Sequence, residues 1–390
     1  MPRTDPTFIR KLRGEDKQET LARALGCDRS TYSLLEKDNI EISERGDYSI
    51  KQRLCKLANH HKLAQELSED ERWRLFVIDE DRLYIRRQNI EHNALGRLEE
   101  PQQPVVLYGP ARCGLSWVMN NIVKRSKLHR GIESITITKL GRESGIVVGD
   151  DFASLCHQIT GLVLKRGEDA LRAWLQPKLT SSQSPAIWII NHGEELLDAS
   201  LSVQSAFLGV LRQLCNPQDN VWSRFRLMLV LHIPPHAIRE YGHSPFQNLV
   251  PFPQELQDFD ELQMLELAKK RGVDLSIEQI HRLYLLIAGH PQLTDNVFEG
   301  IALKCFQLEN VLAKPLNGVF EGHLRELRQM LTERHELQSD WAAFLKDPES
   351  LDISQISRLY NAGLIISVEP GSKTTKYRVR CPLYEQALRR

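Results

Sequence analysis

The 390-residue chain lacks the marks of disulfide-rich, zinc-ribbon and membrane proteins. Its seven cysteines include no CxxC pair, which argues against a zinc ribbon, a redox motif and a disulfide scaffold. The amino-terminal segment has no signal-peptide-like apolar stretch, and no apolar run approaches transmembrane length. Basic and acidic residues are equal in number, so no global field attracts nucleic acid or an anionic membrane. We therefore expect a cytoplasmic protein with no membrane contact, and any nucleic-acid contact must be local.

What is present is a soluble, globular composition with 41% apolar and 26% charged residues, and the length allows two or three domains. Short, unbroken apolar runs alternate with helical patterns, which is typical of strands buried on both faces of a parallel sheet. The predicted strands are residues 105–108, 134–140, 186–190 and 226–233, and the predicted helices between them are residues 152–175 and 201–215.

The first of these strands runs into a glycine-rich turn, PVVLYGPARCGLS, at residues 104–116. Gly109 and Gly114 have the spacing of the phosphate-binding pattern GxxxxGK[ST], and Arg112 and Ser116 lie within it, but Leu115 stands where the pattern has lysine. The backbone of such a loop, with the helix amino terminus that follows, still forms an anion-binding nest. The sequence therefore predicts a phosphate-binding loop without its cation.

Two later strands end in residues that differ from those that nucleotide-hydrolysing proteins have at the same places. A P-loop ATPase has Asp-Glu after the strand at residues 186–190, where the Asp holds Mg²⁺ and the Glu activates water. Here Asn191 and His192 follow that strand, although Glu194 and Glu195 come soon after and could substitute. The next strand ends near His232, where a polar residue would sense the γ-phosphate, but a lone histidine there is more often structural.

Loss of the lysine and of the metal-holding carboxylate removes two charge-assisted contacts. Triphosphate affinity should fall by roughly 3–6 kcal/mol, which is about 10²- to 10⁴-fold. Loss of the water-activating Glu would cost a further factor of about 10² to 10⁴ in rate. We therefore expect no catalytic residue, no metal and no firmly bound cofactor, with weak ATP or ADP binding left open.

The surroundings of this loop resemble those of AAA-like and STAND-type P-loop domains. An Arg-x-x-x-Glu pattern at Arg87 and Glu91 precedes the first strand, and the segment RLYLLIAGHPQLTDNVF resembles the Gly-x-Pro lid of those families. The resemblance implies that Gly289 and Pro291 approach the nucleotide base.

The segment QETLARALGCDRSTYSLLEKD near the amino terminus has the spacing of a helix-turn-helix and resembles the lambda-repressor-like family. In that family the second helix enters the major groove of DNA. The resemblance implies that the residues facing DNA are Arg29, Ser30, Thr31, Ser33 and Lys37. The alternative is a small helical bundle that contacts proteins, since acidic and basic residues nearly balance here.

The last seventy residues combine helical segments with a predicted hairpin at residues 364–368 and 376–379. This order resembles the winged-helix tail of bacterial AAA-like proteins. Lys373, Lys376, Arg378 and Arg380 make the predicted wing basic, which suits contact with a nucleic-acid backbone or plain solvation.

Together these resemblances imply a multidomain α/β protein, in which a P-loop AAA-like parallel sheet with a helical lid is flanked by an all-α helix-turn-helix domain and a winged-helix domain. The expected divisions are a helix-turn-helix domain at 1–68, a connector at 69–85, a degenerate P-loop domain at 86–250, a lid at 251–318 and a winged helix at 319–390. The leading hypothesis is a non-hydrolysing regulatory or adaptor protein that assembles with itself or a protein partner and contacts DNA. The alternatives are a DNA-targeting AAA+ adaptor of a transposition system and a STAND-like signalling or defence regulator.

Overall fold

The computed structural model describes residues 83–100, 104–141, 144–181, 183–216, 220–235, 253–368 and 376–388. The chain divides into two compact units, Met1–Tyr84 and Ile85–Arg390, and nearly all described residues belong to the second. The predicted helix-turn-helix and connector, apart from residues 83–85, lie outside the described residues, as does Lys373.

The second unit begins with a parallel α/β sheet. Its strands are β1 (Val105–Tyr108), β2 (Glu133–Lys139), β3 (Ala186–Asn191), β4 (Phe225–Leu231) and β5 (Gln254–Glu255). They pair in parallel in the order β2-β3-β4-β1-β5. Every residue of β1, β3 and β4 is buried, as the unbroken apolar runs predicted.

Helices cover the sheet and connect its strands. They are α1 (Gln88–Glu99), α2 (Leu115–Arg130), α3 (Phe152–Thr160), α4 (Gly167–Thr180) and α5 (Leu201–Cys215). The single helix predicted at residues 152–175 was wrong, because the structure has two helices there. Gly161 adopts a left-handed conformation with φ of 74° and ends α3, and α4 begins only at Gly167.

The carboxyl-terminal half is mostly helical. Its helices are α6 (Glu261–Lys270), α7 (Ile277–Ile287), α8 (Pro291–Ala302), α9 (Leu308–Ala313), α10 (Glu321–Glu333), α11 (His335–Lys346), α12 (Ile353–Asn361) and α13 (Pro382–Leu388). Asp260, Ser276 and Asp352 form capping boxes that begin α6, α7 and α12. These local signals make the helix starts readable from the sequence.

Two short strands, β6 (Ile365–Ser367) and β7 (Tyr377–Val379), pair antiparallel before α13. They match the predicted hairpin closely. The buried Tyr360 hydroxyl of α12 donates to Glu255 of β5 at 2.8 Å, which joins this carboxyl-terminal segment to the edge of the parallel sheet. Among the described helices, none is long and apolar enough to cross a membrane.

Candidate functional site

The turn between β1 and α2 has the backbone of a P-loop. A Cβ on Gly109 would lie 2.7 Å from Cys113 Sγ and 3.0 Å from the Leu256 carbonyl oxygen, so only glycine fits. Gly114 has φ of 94° and caps α2, a conformation that glycine adopts without a Cβ penalty. The two glycines identified by spacing are therefore each required by geometry, and the amino terminus of α2 follows the turn.

The side chains of this turn do not supply the usual cation. Leu115 is only 2% exposed and packs in the core, whereas Ser116 is exposed and borders a cavity. Arg112 has φ of 66° and directs its guanidinium to α10, where it lies 2.7 Å from His323 Nδ1 and 2.9 Å from Glu326 Oε2. The one arginine of the turn is thus engaged by protein groups.

A fully buried arginine fastens the carboxyl-terminal segment to the same turn. Arg380, which follows β7, donates to both carboxylate oxygens of Asp258 at 2.7 and 2.8 Å. Its Nη1 also donates to the carbonyl oxygen of Ala111 in the P-loop. Burial alone would lower the pKa of Arg380, but Asp258 raises it above the ordinary value, so the guanidinium stays charged.

Gly363 allows the carboxyl-terminal segment to approach the P-loop backbone closely. A Cβ at this position would lie 3.0 Å from both the Ala111 carbonyl oxygen and Arg380 Nη1, and its φ of 75° also favours glycine. The turn between α12 and β6 therefore reaches the P-loop backbone. We call this contact, made by Ala111, Asp258, Gly363 and Arg380, the arginine clamp.

Next to the arginine clamp, His323 and Tyr384 form a buried polar pair. An arginine only donates, so His323 Nδ1 accepts from Arg112, and the proton on Nε2 is donated to the Tyr384 hydroxyl at 2.6 Å. Burial, Arg112 and Arg380 lower the pKa of His323 to about 3. The imidazole is therefore neutral at physiological pH.

The predicted lid turn lies beside this pair. A Cβ on Gly289 would lie 1.8 Å from the Phe259 carbonyl oxygen, so the turn packs tightly against the segment after β5. His290 is fully buried, caps α8 and lies 5.5 Å from the His323 ring, centroid to centroid. Pro291 is the buried first residue of α8. The approach of Gly289 and Pro291 to a nucleotide base stays a prediction.

The other predicted site residues meet at the carboxyl edge of the sheet. Asn191 ends β3 as a buried residue, and its Oδ1 accepts from the His192 amide at 3.0 Å. His192 adopts a left-handed conformation with φ of 58°. Its ring lies 5.1 Å from the ring of His232, which follows β4. Residues chosen from two separate sequence patterns are therefore neighbours.

Glu194 contacts both histidines. The sequence analysis considered this residue only as a substitute for the carboxylate that is missing after β3. It lies in the 3₁₀ turn Gly193–Asp198, with Oε1 3.2 Å from His192 Nδ1. Its Oε2 accepts from the His232 amide at 3.0 Å. Burial raises the pKa of Glu194, but the hydrogen bond from His192 and the contacts with His232 outweigh this and lower it, so the carboxylate is ionised.

His232 is held from the opposite side by the P-loop. Its Nδ1 lies 3.3 Å from the Gly109 carbonyl oxygen, which can only accept a hydrogen bond. Burial lowers the pKa of His232 despite the attraction of Glu194. We call His192, Glu194 and His232 the edge triad.

A large open cavity of about 1290 Å³ lies over this edge. Its floor includes the edge triad, Lys139 and Ser116, and its far wall comes from α10 to α12. The cavity thus lies where open α/β sheets bind ligands, outside the carboxyl ends of the strands.

These residues can be compared with what Mg-nucleotide requires. Leu115, Asn191 and His192 bring neither a cationic group nor a carboxylate to the positions that hold phosphate, magnesium and attacking water. Two arginines near the P-loop, Arg112 and Arg380, are bound to Glu326 and Asp258. Weak binding of Mg-nucleotide at this site stays a prediction.

The predicted DNA contacts are only partly described. Arg29, Ser30, Thr31, Ser33 and Lys37 lie outside the described residues. The Lys376 side chain is 75% exposed, with Nζ 4.0 Å from Glu349 Oε1, and Arg378 Nη1 donates to the carbonyl oxygens of Val379 and Arg380. The participation of these residues in DNA binding stays a prediction.

Comparison with known proteins identifies the family. A family model described as an AAA-like domain matches residues 172–390, which is more than half of the chain. The chain belongs to this AAA-like family. The matched range begins after the P-loop turn, and no curated protein sequence matches the chain.

Three solved structures are similar to the chain at low sequence identity. The Walker-type ATPase PABY2304 of Pyrococcus abyssi aligns with a TM-score of 0.51 and 14% identity over 79% of this chain and 96% of its own. The Aeropyrum pernix ORC1 protein in complex with DNA aligns at 0.44 and 11% identity over 80% and 94%. A STAND protein with a tetratricopeptide repeat sensor, PH0952 from Pyrococcus horikoshii, aligns at 0.39 and 14% identity over 80% and 43%. At these identities the first likeness supports a shared fold and nothing finer.

Proposed function

We propose that this AAA-like protein is a non-hydrolysing regulatory or adaptor protein. Its P-loop domain serves as an assembly scaffold, and its amino-terminal segment contacts DNA. The observation that carries the proposal is the burial of Leu115 at the lysine position, next to a P-loop whose Ala111 carbonyl is bound by Arg380. In this loop a buried leucine replaces the phosphate-binding lysine, and an arginine binds the loop backbone. Such a loop is suited to stabilising the domain rather than to hydrolysing nucleotide.

Assembly is supported by an exposed apolar loop between α3 and α4. Leu162, Val163 and Leu164 are consecutive, and Val163 is 81% exposed. Contiguous exposed apolar side chains commonly mark protein interaction sites. We assign this loop to contacts with a second copy of the chain.

A turnover assay tests the hydrolysis part of the proposal. Wild-type protein should release no phosphate from ATP or GTP above background, and millimolar Mg-ATP should raise the thermal midpoint little or not at all. Hydrolysis that disappears in Gly114→Asp would overturn the proposal, and would point to Glu194 or Glu195 as the activating carboxylate.

A charge restored at the lysine position sharpens this test. Leu115→Lys should strengthen ATP binding by about 10- to 100-fold, because the loop backbone is present and a charge-assisted contact contributes roughly 1.5–3 kcal/mol. Trp117→Lys is the matched control, since Trp117 is exposed on the same helix and the variant adds the same charge. Equal gains in the two variants would mean that nucleotide does not use the P-loop.

Mass photometry tests assembly and DNA binding together. Val163→Glu should weaken self-association, whereas Leu262→Glu, an equally exposed but separate apolar position on α6, should not. Adding duplex DNA at low salt should produce complexes that weaken when Arg29 and Lys37 are both replaced by alanine. If Val163→Glu associates as wild type does, the proposal that this loop mediates assembly is wrong. If micromolar protein binds no duplex DNA, the proposal that the protein contacts DNA is wrong.

A further inference from the structure

The edge triad brings together three side chains of types that bind metals, at the carboxyl edge of the sheet. One ring nitrogen from each of His192 and His232 and one oxygen of Glu194 all lie within 4.8 Å of one another. The end of β3, the following 3₁₀ turn and the end of β4 each contribute one of them. Two imidazoles and a carboxylate are the ligand set of many catalytic zinc sites, which keep a fourth position open.

The hydrogen bonds around His232 leave a lone pair available. The Gly109 carbonyl oxygen can only accept, so the proton of the neutral ring lies on Nδ1 and the lone pair on Nε2. Metal-binding histidines usually donate their other ring N–H to a carbonyl or a carboxylate, which fixes the ring. The P-loop therefore provides for His232 the outer contact that a metal ligand needs.

The members of the edge triad differ in their exposure. The Glu194 side chain is 6% exposed and that of His192 is 28% exposed, so the carboxylate is sheltered while one imidazole meets the cavity.

The backbone of His192 is strained. A left-handed residue other than glycine costs roughly 1–2 kcal/mol, and the φ of 58° places the imidazole next to Glu194. At the next residue, Gly193, a Cβ would lie 2.6 Å from Leu231 Cδ2, so a larger residue would require the Leu231 side chain to shift. Strained residues of this kind occur at ligand-binding sites, where the strain holds a side chain in place.

We propose that His192, Glu194 and His232 bind a divalent transition-metal ion of the zinc class, with a fourth coordination position that opens to the cavity. Tetrahedral zinc with bonds of about 2.0–2.1 Å keeps its donor atoms about 3.3 Å apart. Small side-chain rotations reach this spacing from the 4.8 Å limit. The sequence pattern, which has no adjacent-ligand motif, predicts no metal, because the ligands come from two strands that meet only in the fold.

Metal titration of the full-length protein tests this site independently of nucleotide and of assembly. Protein stripped with a chelator is titrated with Zn²⁺ by calorimetry and with Co²⁺ by visible absorption, which reports coordination geometry. We expect one Zn²⁺ per chain, tetrahedral Co²⁺ bands, and a higher thermal midpoint with Zn²⁺. Each of His192→Asn, Glu194→Gln and His232→Ala should weaken this binding by more than about 100-fold.

The variants are chosen to keep the fold. Asparagine tolerates the left-handed conformation of His192, and glutamine preserves the shape of Glu194. His157→Ala, at an exposed position of α3, is the matched control and should bind Zn²⁺ as wild type does. His60→Ala/His61→Ala checks the adjacent histidines of the amino-terminal segment.

Three results would overturn the proposal. The first is that wild-type protein binds Zn²⁺ no more tightly than the edge-triad variants do. The second is that bound Co²⁺ shows only octahedral absorption bands. The third is that binding is lost in the His60/His61 variant and in no other. Circular dichroism without metal must show that each variant is folded. If His232→Ala does not fold, the Zn²⁺ affinities of His192→Asn and Glu194→Gln decide whether the proposal holds.

Discussion

The two sides of the P-loop turn differ in what surrounds them. On one side, the arginine clamp is buried and closely packed, with Arg380 fully buried and hydrogen-bonded to Asp258 and to the Ala111 carbonyl. On the other side, the edge triad faces an open cavity and includes a strained residue, His192. We therefore expect the arginine clamp to stabilise the fold and the edge triad to bind a ligand.

The comparison makes opposite predictions for substitutions on the two sides. Changes in the arginine clamp should lower the free energy of unfolding strongly, because they leave buried charge unpaired. Changes in the edge triad should alter ligand binding while leaving stability nearly unchanged.

Arg380→Met should lower the free energy of unfolding by about 3–5 kcal/mol, since Asp258 would remain buried without its partner. Denaturant unfolding measures the change. Arg282→Met is the matched control, because Arg282 makes a similar two-pronged pair with Glu309 on the surface, where both side chains are about half exposed. That variant should unfold like wild type. Equal losses in the two variants would remove the distinction between the clamp and a surface pair.

Stability should fall by about 1 kcal/mol through His323 alone as the pH drops from 7.5 to 5.5. The unfolded histidine binds a proton below about pH 6.5, whereas burial and Arg112 hold the pKa of the folded residue near 3. The unfolded state therefore binds more protons in this window, and stability rises with pH. Unfolding free energies of wild type and His323→Gln at the two pH values isolate the contribution. Equal pH dependence in both proteins would contradict the buried, neutral assignment.

His192→Gly should change the free energy of unfolding by less than about 1 kcal/mol. Relief of the left-handed strain offsets the lost hydrogen bond to Glu194 and the backbone entropy of glycine. Lys304→Gly is the matched control, since Lys304 is an exposed left-handed residue at the end of α8 with φ of 57°. A loss in His192→Gly comparable to that in Arg380→Met would show that the edge triad is structural.

Local patterns in the sequence were enough for much of the fold. The unbroken apolar runs of β1, β3 and β4 indicated a parallel sheet, and α5 has the predicted bounds. Gly109 and Gly114 were identified from spacing alone, and the structure gives each a steric or conformational reason. The break between α3 and α4 was missed because the left-handed conformation of Gly161 interrupts a continuous helical pattern.

Tertiary structure alone decided which polar residues meet. Arg380 and Asp258 are 122 positions apart, and Arg112 and His323 are 211 apart, so neither pair leaves a local signature. Glu194 gained its place only because β3 and β4 pair in parallel and bring His192 and His232 to the same edge. Local sequence patterns were enough to predict the strands and the phosphate-binding turn, because those depend on neighbouring residues. The clamp and the edge triad depend on packing between distant segments, which no spacing in the chain encodes.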